Sequence, residues 1–513
     1  MNAAYYDVVV LGSSLGGLVA GALLAKNGFR VLVLGQDDVG PTYRVGNVTL
    51  PRRPFDFLPA ASPVVRRSFN ELALHQQVRR RISTSDVPFQ VCLPRTRFNG
   101  STERESLERE IEREFPEVKR PIEDIHRAIA RASEALDAMT ENDLVWPPEG
   151  FFERREFQRA ASQLPFASRG SEIWDPLAEL AEDHPFRHVV QTPARFASSL
   201  DPGQLSGVGI ARPYASWLGG GVKIDGGHAW LRRQLTERLE TYSGELRPRE
   251  RADRIVLRRG SVSAVRLAST GETLGCGFVV ANCELARLLR IVPDRSPFED
   301  VFERIGEPQP RWFRYTLNLV VDAAGIPAGM ADDVFYVRDP DRGRAAETML
   351  HIERHPVDEN GQVLLCVETL LLRRAVEDSP SYLDTVRERV LASVGELVPF
   401  LGDHLSIVDS PHDGRDPFDV RARRSLPVEE PWSRGPDTME AIFGFPVRGA
   451  LGACAMPTRT PIDRLYLCND QVVPGLGLEG ALLAASTVAR LVVRHDRRKD
   501  WMRRGLWTKS DFS

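Results

Sequence analysis

The order of apolar and polar positions at the start of the chain predicts a strand, a tight turn, a helix and a second strand. The stretch "VVVLGSSLGGLVAGALLAKNGFRVLVLGQDD" (8–38) holds an apolar run, a glycine-rich turn, a long apolar segment and a second apolar run. Short continuous apolar runs are typical of strands buried in a parallel sheet, and Gly28 is placed to end the helix. The unit therefore predicts a right-handed β–α–β crossover in an α/β fold.

Further along, the periodicity changes between helical and extended patterns. Apolar residues recur every three or four positions at 66–82, 101–145 and 382–398, which predicts helices. Short apolar or alternating runs predict strands at 254–257, 262–267, 277–282, 311–321 and 362–372. One more strand, 464–470, feeds a second glycine turn and is expected to join the sheet that holds residues 5–11.

The most apolar long window, 472–493, is interrupted by Glu479, Arg490 and several glycines. A membrane-spanning helix needs about 20 predominantly apolar residues, so this window predicts a buried loop and helix instead.

Composition narrows the class of protein. The 513 residues are 42% hydrophobic and 27% charged, with a formal net charge of -4, which fits a globular protein of two or three domains and gives no reason to expect nucleic acid as a partner. Six scattered cysteines predict a reducing, cytoplasmic environment and argue against structural zinc. His351 and His355 are four residues apart, but Pro356 and the apolar run before them favour a strand, so no metal site is predicted.

The first turn resembles a phosphate-binding turn with two changes. Gly12, Gly16 and Gly17 occupy glycine positions, but Ser14 stands where a second glycine would let backbone approach the phosphates. The second strand ends on Gly35, where an acid usually accepts hydrogen bonds from a ribose. Gln36 either substitutes for that acid through its amide oxygen or belongs to a polar turn that binds nothing.

Three segments carry a resemblance to a known family. "PFDFLPAASP" (54–63), the glycine turn, helix and hairpin at 225–283, and "RLYLCNDQVVPGLGLEGALLAASTVARLV" (464–492) resemble, in this order, segments of FAD-dependent phytoene-desaturase-like and amine-oxidase-like oxidoreductases. The resemblance implies an α/β fold whose Rossmann-like FAD-binding domain is assembled from discontinuous segments, with an inserted α+β substrate domain. The expected divisions are FAD-binding segments at 1–70, 211–290 and 436–495, a helical substrate segment at 71–210, a substrate domain with a sheet at 291–435, and a basic, Trp-containing tail at 496–513.

The same resemblance implies the cofactor, the chemistry and the contact residues. The expected cofactor is FAD, and the expected reaction is hydride transfer between the flavin and a large apolar, isoprenoid or polyene substrate. The implied contacts are Gly12, Ser13, Ser14, Leu15, Gly16 and Gly17 in the first turn, Gln36 and Ala252 at the adenine end, and Asn469, Asp470, Gly477, Leu478, Glu479 and Gly480 at the flavin end. His228, Trp217 and Trp230 are further candidates for lining the pocket, and no catalytic residue is identified.

Departures from the family pattern cluster at these contact positions, at Ser14, Gly35, Pro41, Phe57 with Leu58, and Asn469. They predict weak FAD binding, with steric conflict at Asn469, and a Gly35→Glu substitution is expected to tighten it if the ribose lies at that position. The alternative is a catalytically retired member of the fold that acts as a binding or assembly protein. The tail is typical of a peripheral contact with the inner face of a membrane, a solvated appendage being the other interpretation. The oligomeric state is not predicted.

Overall fold

The computed structural model describes residues 5–166, 174–342, 348–379, 381–446 and 449–496. The membrane contact expected of residues 496–513 therefore lies outside the described residues, Asp496 excepted.

The strands are β1 (Tyr5–Leu11), β2 (Val31–Leu34), β3 (Thr42–Val45), β4 (Val48–Pro51), β5 (Ile82–Ser83), β6 (Gln90–Leu93), β7 (Thr96–Asn99), β8 (Lys223–Ile224), β9 (Glu245–Arg247), β10 (Ala252–Arg258), β11 (Ser261–Leu267), β12 (Thr273–Ala281), β13 (Gln309–Asp322), β14 (Asp333–Val337), β15 (Met349–Arg354), β16 (Gln362–Leu372), β17 (Leu405–Asp409), β18 (Phe418–Asp419), β19 (Arg424–Ser425), β20 (Ala441–Gly444) and β21 (Leu465–Leu467). The helices are α1 (Leu15–Lys26), α2 (Pro63–Glu71), α3 (His75–Arg79), α4 (Arg104–Glu114), α5 (Lys119–Glu141), α6 (Phe151–Ala161), α7 (Phe186–Ala197), α8 (Gly207–Leu218), α9 (Gly227–Thr241), α10 (Leu285–Ile291), α11 (Glu299–Ile305), α12 (Arg373–Asp378), α13 (Tyr382–Leu397), α14 (Leu401–His404) and α15 (Gly477–His495).

The first sheet is built from strands that are far apart in the sequence. Its parallel core runs in the order β21, β12, β1, β2 and β9. Strand β12 also pairs antiparallel with β11, which pairs with β10, so the hairpin expected at 225–283 does return the chain to this sheet. The prediction that the strand near residue 465 lies in the same sheet as residues 5–11 is confirmed.

Helices α1 and α15 pack against each other over this sheet. Strand β1 is buried from Val8 to Leu11, and α1 is buried on nearly every face, which explains the unbroken apolar run in the sequence. A Cβ added to Gly17 would lie 2.4 Å from the carbonyl oxygen of Gly12, so helix and strand approach closely only because this residue is glycine.

The second sheet lies opposite the first, across the cavity that is described below. Its central strands β13 and β16 pair antiparallel over eleven residues, from Trp312 with Leu372 to Asp322 with Gln362. Both were predicted from the sequence, within two residues of their ends. The pair β6 and β7 extends this sheet from the N-terminal half of the chain.

Each of two segments with helical periodicity contains two helices. The segment 66–82 contains α2 and α3, separated by Ala73 in a left-handed conformation with φ of 55°. The segment 101–145 contains α4 and α5, which are interrupted at Pro116 because proline cannot continue the hydrogen-bond ladder. Periodicity located the apolar faces, but it did not reveal these breaks.

The segment Pro474–His495 is long and apolar enough to cross a membrane by composition alone. In the structure 83% of its most apolar window is buried inside the protein, as expected of a core helix.

Candidate functional site

The turn between β1 and α1 exposes the N-terminus of α1. Gly12 has φ of 113°, and Ser14 is the N-cap residue of the helix without capping it through its side chain. Its hydroxyl donates instead to Asn282 Oδ1 at 2.7 Å. The first N–H groups of a helix have no intrahelical partner and carry the positive end of the helix dipole, so this turn can bind an anion. Asn282 was not among the predicted contacts, because it follows β12, far away in the sequence.

The end of β2 has no space for the acid that usually binds a ribose at this position. A Cβ added to Gly35 would lie 1.9 Å from the carbonyl oxygen of Pro248. The expectation that Gly35→Glu would tighten cofactor binding is therefore wrong, because the side chain would first have to displace backbone.

Gln36 is held by Ala252, the other residue expected at the adenine end. The Gln36 side chain donates from Nε2 to the carbonyl oxygen of Ala252 at 2.9 Å, and the Ala252 N–H donates to Gln36 Oε1 at 3.0 Å. Gln36 is buried and left-handed, with φ of 55°. Its amide oxygen is thus paired with the backbone and is not left to accept from a ribose.

Ser13 takes part in a second closed network beside this end. Its hydroxyl donates to Asp38 Oδ2 at 2.8 Å and accepts from Arg232 Nη2 at 2.8 Å. Arg232 Nη1 also lies 2.9 Å from Asp38 Oδ2. The charges near the turn are therefore paired with each other.

A cavity that is open to solvent begins at the first turn and extends between the two sheets. Of the predicted contacts, those that line it are Ser14, Leu15, Gly16, Asp470, Leu478 and Glu479. Its remaining walls come from residues 53–59, from α7 and α8, and from the second sheet.

Two predicted glycines at the flavin end have a packing role. A Cβ on Gly477 would lie 1.9 Å from the carbonyl oxygen of Ala197, and one on Gly480 would lie 2.0 Å from that of Val473. These glycines let the start of α15 pack against neighbouring backbone, and this brings Leu478 and Glu479 to the cavity.

Asn469 does not obstruct the cavity. Its Nδ2 donates to the carbonyl oxygen of Cys283 at 2.7 Å and to Gln471 Oε1 at 3.1 Å. The steric conflict expected at this position is absent from the structure, because the side chain turns toward α10 and away from the cavity.

Asp470, the next residue, faces the cavity and is exposed to it although it lies deep within the protein. Burial and the charge of Glu440 raise the pKa of its carboxyl to about 6, with Arg53 opposing them. The carboxyl therefore changes its charge in mildly acidic solution.

Glu479 forms a buried ion pair at the start of α15. Arg212 of α8 binds both of its carboxylate oxygens at 2.8 Å, and the two side chains are 9% and 6% exposed. Arg212 also contacts Asp137 and Ser133 of α5, so one guanidinium joins three helices.

A cluster of charged side chains lies at the cavity wall, to which Asp56 and His351 contribute. Lys223 Nζ lies 2.7 Å from Asp56, 2.8 Å from Asp333 and 3.0 Å from Glu353. His351 Nε2 lies 2.9 Å from Asp333 Oδ1. These residues come from the loop after β4 and from β8, β14 and β15, so no spacing in the sequence predicts that they lie together.

Burial and the charge of Asp333 raise the pKa of the Asp56 carboxyl well above its ordinary value. Burial would lower the pKa of Lys223, but Asp333, Asp56 and Glu353 raise it well above the ordinary value. The Asp56 carboxyl therefore binds a proton more readily than an ordinary aspartate does, and the carboxylates around Lys223 favour its charged form. Asp56, Asp333 and His351 are close enough together to act as metal ligands, but Lys223 already supplies a positive charge there.

Aromatic rings form the apolar part of the wall. Trp217 meets Phe335 edge to face with centroids 5.6 Å apart, and Phe335 stacks on His351 at 4.5 Å. His228 also lines the cavity, stacked on Phe55 at 4.7 Å, and burial with the charge of Arg232 lowers its pKa to about 4. Trp230, the other tryptophan considered, is not among the lining residues. His351 lies on strand β15, as expected, and not on a helix with His355.

Comparisons with known proteins agree with this architecture. The family described as an NAD(P)-binding Rossmann-like domain matches residues 10–72. A phytoene desaturase (neurosporene-forming) of Cereibacter sphaeroides is 23% identical over 544 residues, covering 94% of this chain and 94% of that protein.

Solved structures of similar fold include a putrescine oxidase bound to putrescine, with a TM-score of 0.57, 13% identity and coverage of 96% of this chain and 99% of that one. A cyclohexylamine oxidase from Brevibacterium oxydans gives a TM-score of 0.54, 13% identity and coverage of 96% and 99%. An oxidoreductase from Methanosarcina mazei gives 0.55, 13% identity and coverage of 94% and 99%. The predicted fold class and the resemblance to these oxidoreductases are confirmed.

Proposed function

We propose that the protein is a flavin-dependent oxidoreductase that exchanges a hydride with a large apolar substrate held against the aromatic wall. The observation that carries this proposal is that the start of α1, Asp470 and the start of α15 line the same cavity. A phytoene desaturase matches the chain over nearly its whole length, which supports an apolar, isoprenoid-like substrate.

The residues present fit one half of an FAD molecule. The α1 turn suits a phosphate, and the space beside Asp470 and Leu478 suits the ribityl chain and flavin ring. The adenosine half does not fit the structure, because the edge of Ala252 is paired with Gln36. A bound flavin would supply hydride transfer, which no side chain provides.

The chain's own residues would then position the substrate and control protons. Trp217, Phe335 and Phe196 offer an apolar surface, and an apolar substrate packed against it would exclude water. Asp56 faces the same cavity, burial and the charge of Asp333 raise the pKa of its carboxyl, and Lys223 fixes its orientation. Asp56 is therefore the group best placed to give or take a proton beside the substrate.

The second candidate is the non-catalytic binding protein, which the closed Gln36–Ala252 pair favours. The absorbance of a bound flavin distinguishes the two candidates. The purified protein is incubated with riboflavin, FMN or FAD, freed of unbound ligand, and its absorbance is read between about 350 and 500 nm. Retained flavin with quenched fluorescence is expected from the proposal, and no retained flavin of any kind would favour the binding protein.

A Ser14→Asp variant locates the phosphate. Aspartate is a good N-cap residue, so the fold is expected to persist, but its charge would repel a phosphate at the start of α1. FMN affinity is expected to fall roughly tenfold or more. Riboflavin, which has no phosphate, is the matched control and should bind both proteins equally.

A further inference from the structure

Gln36 and Ala252 form a reciprocal pair of hydrogen bonds in which one side chain meets both polar atoms of one residue's backbone. The donor–acceptor distances are 2.9 and 3.0 Å, and Gln36 is buried. The two residues are 216 positions apart, and Ala252 begins β10. The pair therefore fastens the end of β2 to the hairpin of the first sheet.

This pair lies where a dinucleotide would place its base. In a β–α–β nucleotide site the phosphates lie at the start of the helix, and the adenosine lies beyond the carboxyl end of the second strand. Adenine presents an N–H donor beside a ring-nitrogen acceptor, and a glutamine carboxamide presents a donor beside an acceptor as well. Gln36 thus offers Ala252 the same kind of hydrogen-bonding edge that an adenine would offer.

The surroundings restrict the same region independently. Gly35 is pressed against Pro248 so closely that a ribose-binding acid cannot stand there. Arg232, Asp38 and Ser13 are bonded to one another beside the turn. The open cavity, in contrast, begins at Ser14 and leads away from Gln36.

We propose that Gln36 is a built-in substitute for an adenine base, so that the site accepts a flavin mononucleotide and excludes the adenosine half of FAD. This inference rests on the proposed function for the identity of the flavin, but the closure by Gln36 is a property of the chain alone. The ligand class is a flavin ring with a ribityl chain and one phosphate, bound between the starts of α1 and α15.

The variant that opens this end is Gln36→Gly. Glycine tolerates the left-handed backbone at φ of 55°, which offsets part of the cost of losing two hydrogen bonds, so the protein is expected to fold. Asp37→Gly is the matched control, because Asp37 is the next residue, is also left-handed at φ of 66°, and has its side chain 3.4 Å from Arg251 rather than on Ala252.

Three probes are titrated into the full chain and both variants by calorimetry: FMN, FAD and adenosine diphosphate. The wild type is expected to bind FAD no more tightly than FMN and to show no heat with adenosine diphosphate. In Gln36→Gly the preference for FAD over FMN should rise about five- to thirtyfold, the effect of two neutral hydrogen bonds, and adenosine diphosphate should begin to bind. Asp37→Gly should behave as the wild type.

The two proposals fail in different ways. If no protein binds FMN or FAD but Gln36→Gly alone binds adenosine diphosphate, the flavin function is wrong and the closure by Gln36 stands. If the wild type binds FAD at least tenfold more tightly than FMN, or if Gln36→Gly gains nothing for either adenine-containing probe, the closure is wrong whatever the protein does with flavin.

Discussion

Position 35 requires glycine because of close packing and not because of backbone flexibility. Its backbone lies under the carbonyl oxygen of Pro248, 1.9 Å from where a Cβ would be. Gly35→Ala is therefore expected to destabilise the protein by roughly 1–3 kcal/mol, because the loop at Pro248 must move. Chemical denaturation monitored by tryptophan fluorescence measures this. Gly402→Ala, in α14 with no atom within 4 Å of its added Cβ, is the control and should change little.

Asp470 should make stability depend on pH. Its carboxyl pKa is raised from 3.8 to about 6, so the ionised form is disfavoured in the folded protein. The stability of the folded protein is therefore greatest while the group is protonated, and it falls as pH rises from about 4 through 6. Asp470→Asn should therefore raise the melting temperature at pH 8 and leave it nearly unchanged at pH 4.

The expected gain is roughly 1 kcal/mol, since solvent in the cavity reduces the full effect of the shift. An equal gain at both pH values would mean that the substitution acts through packing and not through ionisation.

The outcome at single residues marks the limit of sequence reasoning for the site. The sequence correctly brought Ser14, Gly16 and Leu478 to one surface, because each belongs to a glycine turn whose geometry is local. It left two interpretations of Gln36 open, because the partner Ala252 is contacted only after the hairpin returns to the sheet. It missed Asp56 and Lys223, because isolated residues on separate elements carry no periodic signal.

At the scale of elements, the Arg212–Glu479 pair holds α8 against the start of α15. Arg212→Met should destabilise the protein by about 3–5 kcal/mol, because it leaves the buried Glu479 carboxylate without its partner. The double variant Arg212→Met with Glu479→Leu should recover much of that loss, since neither charge then remains buried. Urea denaturation of the three proteins gives both values.

The surface pair Arg104–Glu108, with Arg104 90% exposed, is the control for charge removal. Arg104→Ala should cost no more than about 0.5 kcal/mol. A similar loss at both arginines would contradict the importance given to burial.

At the scale of the whole molecule, the first sheet depends on both ends of the chain. A chain ending at residue 460 lacks β21 and α15, the latter buried along nearly its whole length. It should show no cooperative thermal transition by circular dichroism, whereas a chain ending at residue 496 should keep the wild-type melting temperature. A cooperative transition in the shorter chain would mean that the remaining strands form a sheet unaided.

The fold as a whole was easier to predict than the site. Strands β13 and β16 have long apolar patterns, and β1, α1 and β2 form a unit whose turn and periodicity agree. The divided helices were not foreseen, because single residues such as Ala73 and Pro116 decide where a helix stops.

Because β21 lies near the end of the sequence, the first sheet can be completed only late in biosynthesis. Its partner β12 and the first turn leave the ribosome long before residue 467 is added. At about 5–20 residues per second, a chain of this length takes roughly 25–100 s to make, and the first sheet stays incomplete for nearly all of that time. The nascent chain must meanwhile keep the apolar strand β1 from aggregating, so we expect folding in the cell to depend on chaperones that hold the early segments until the last helix arrives.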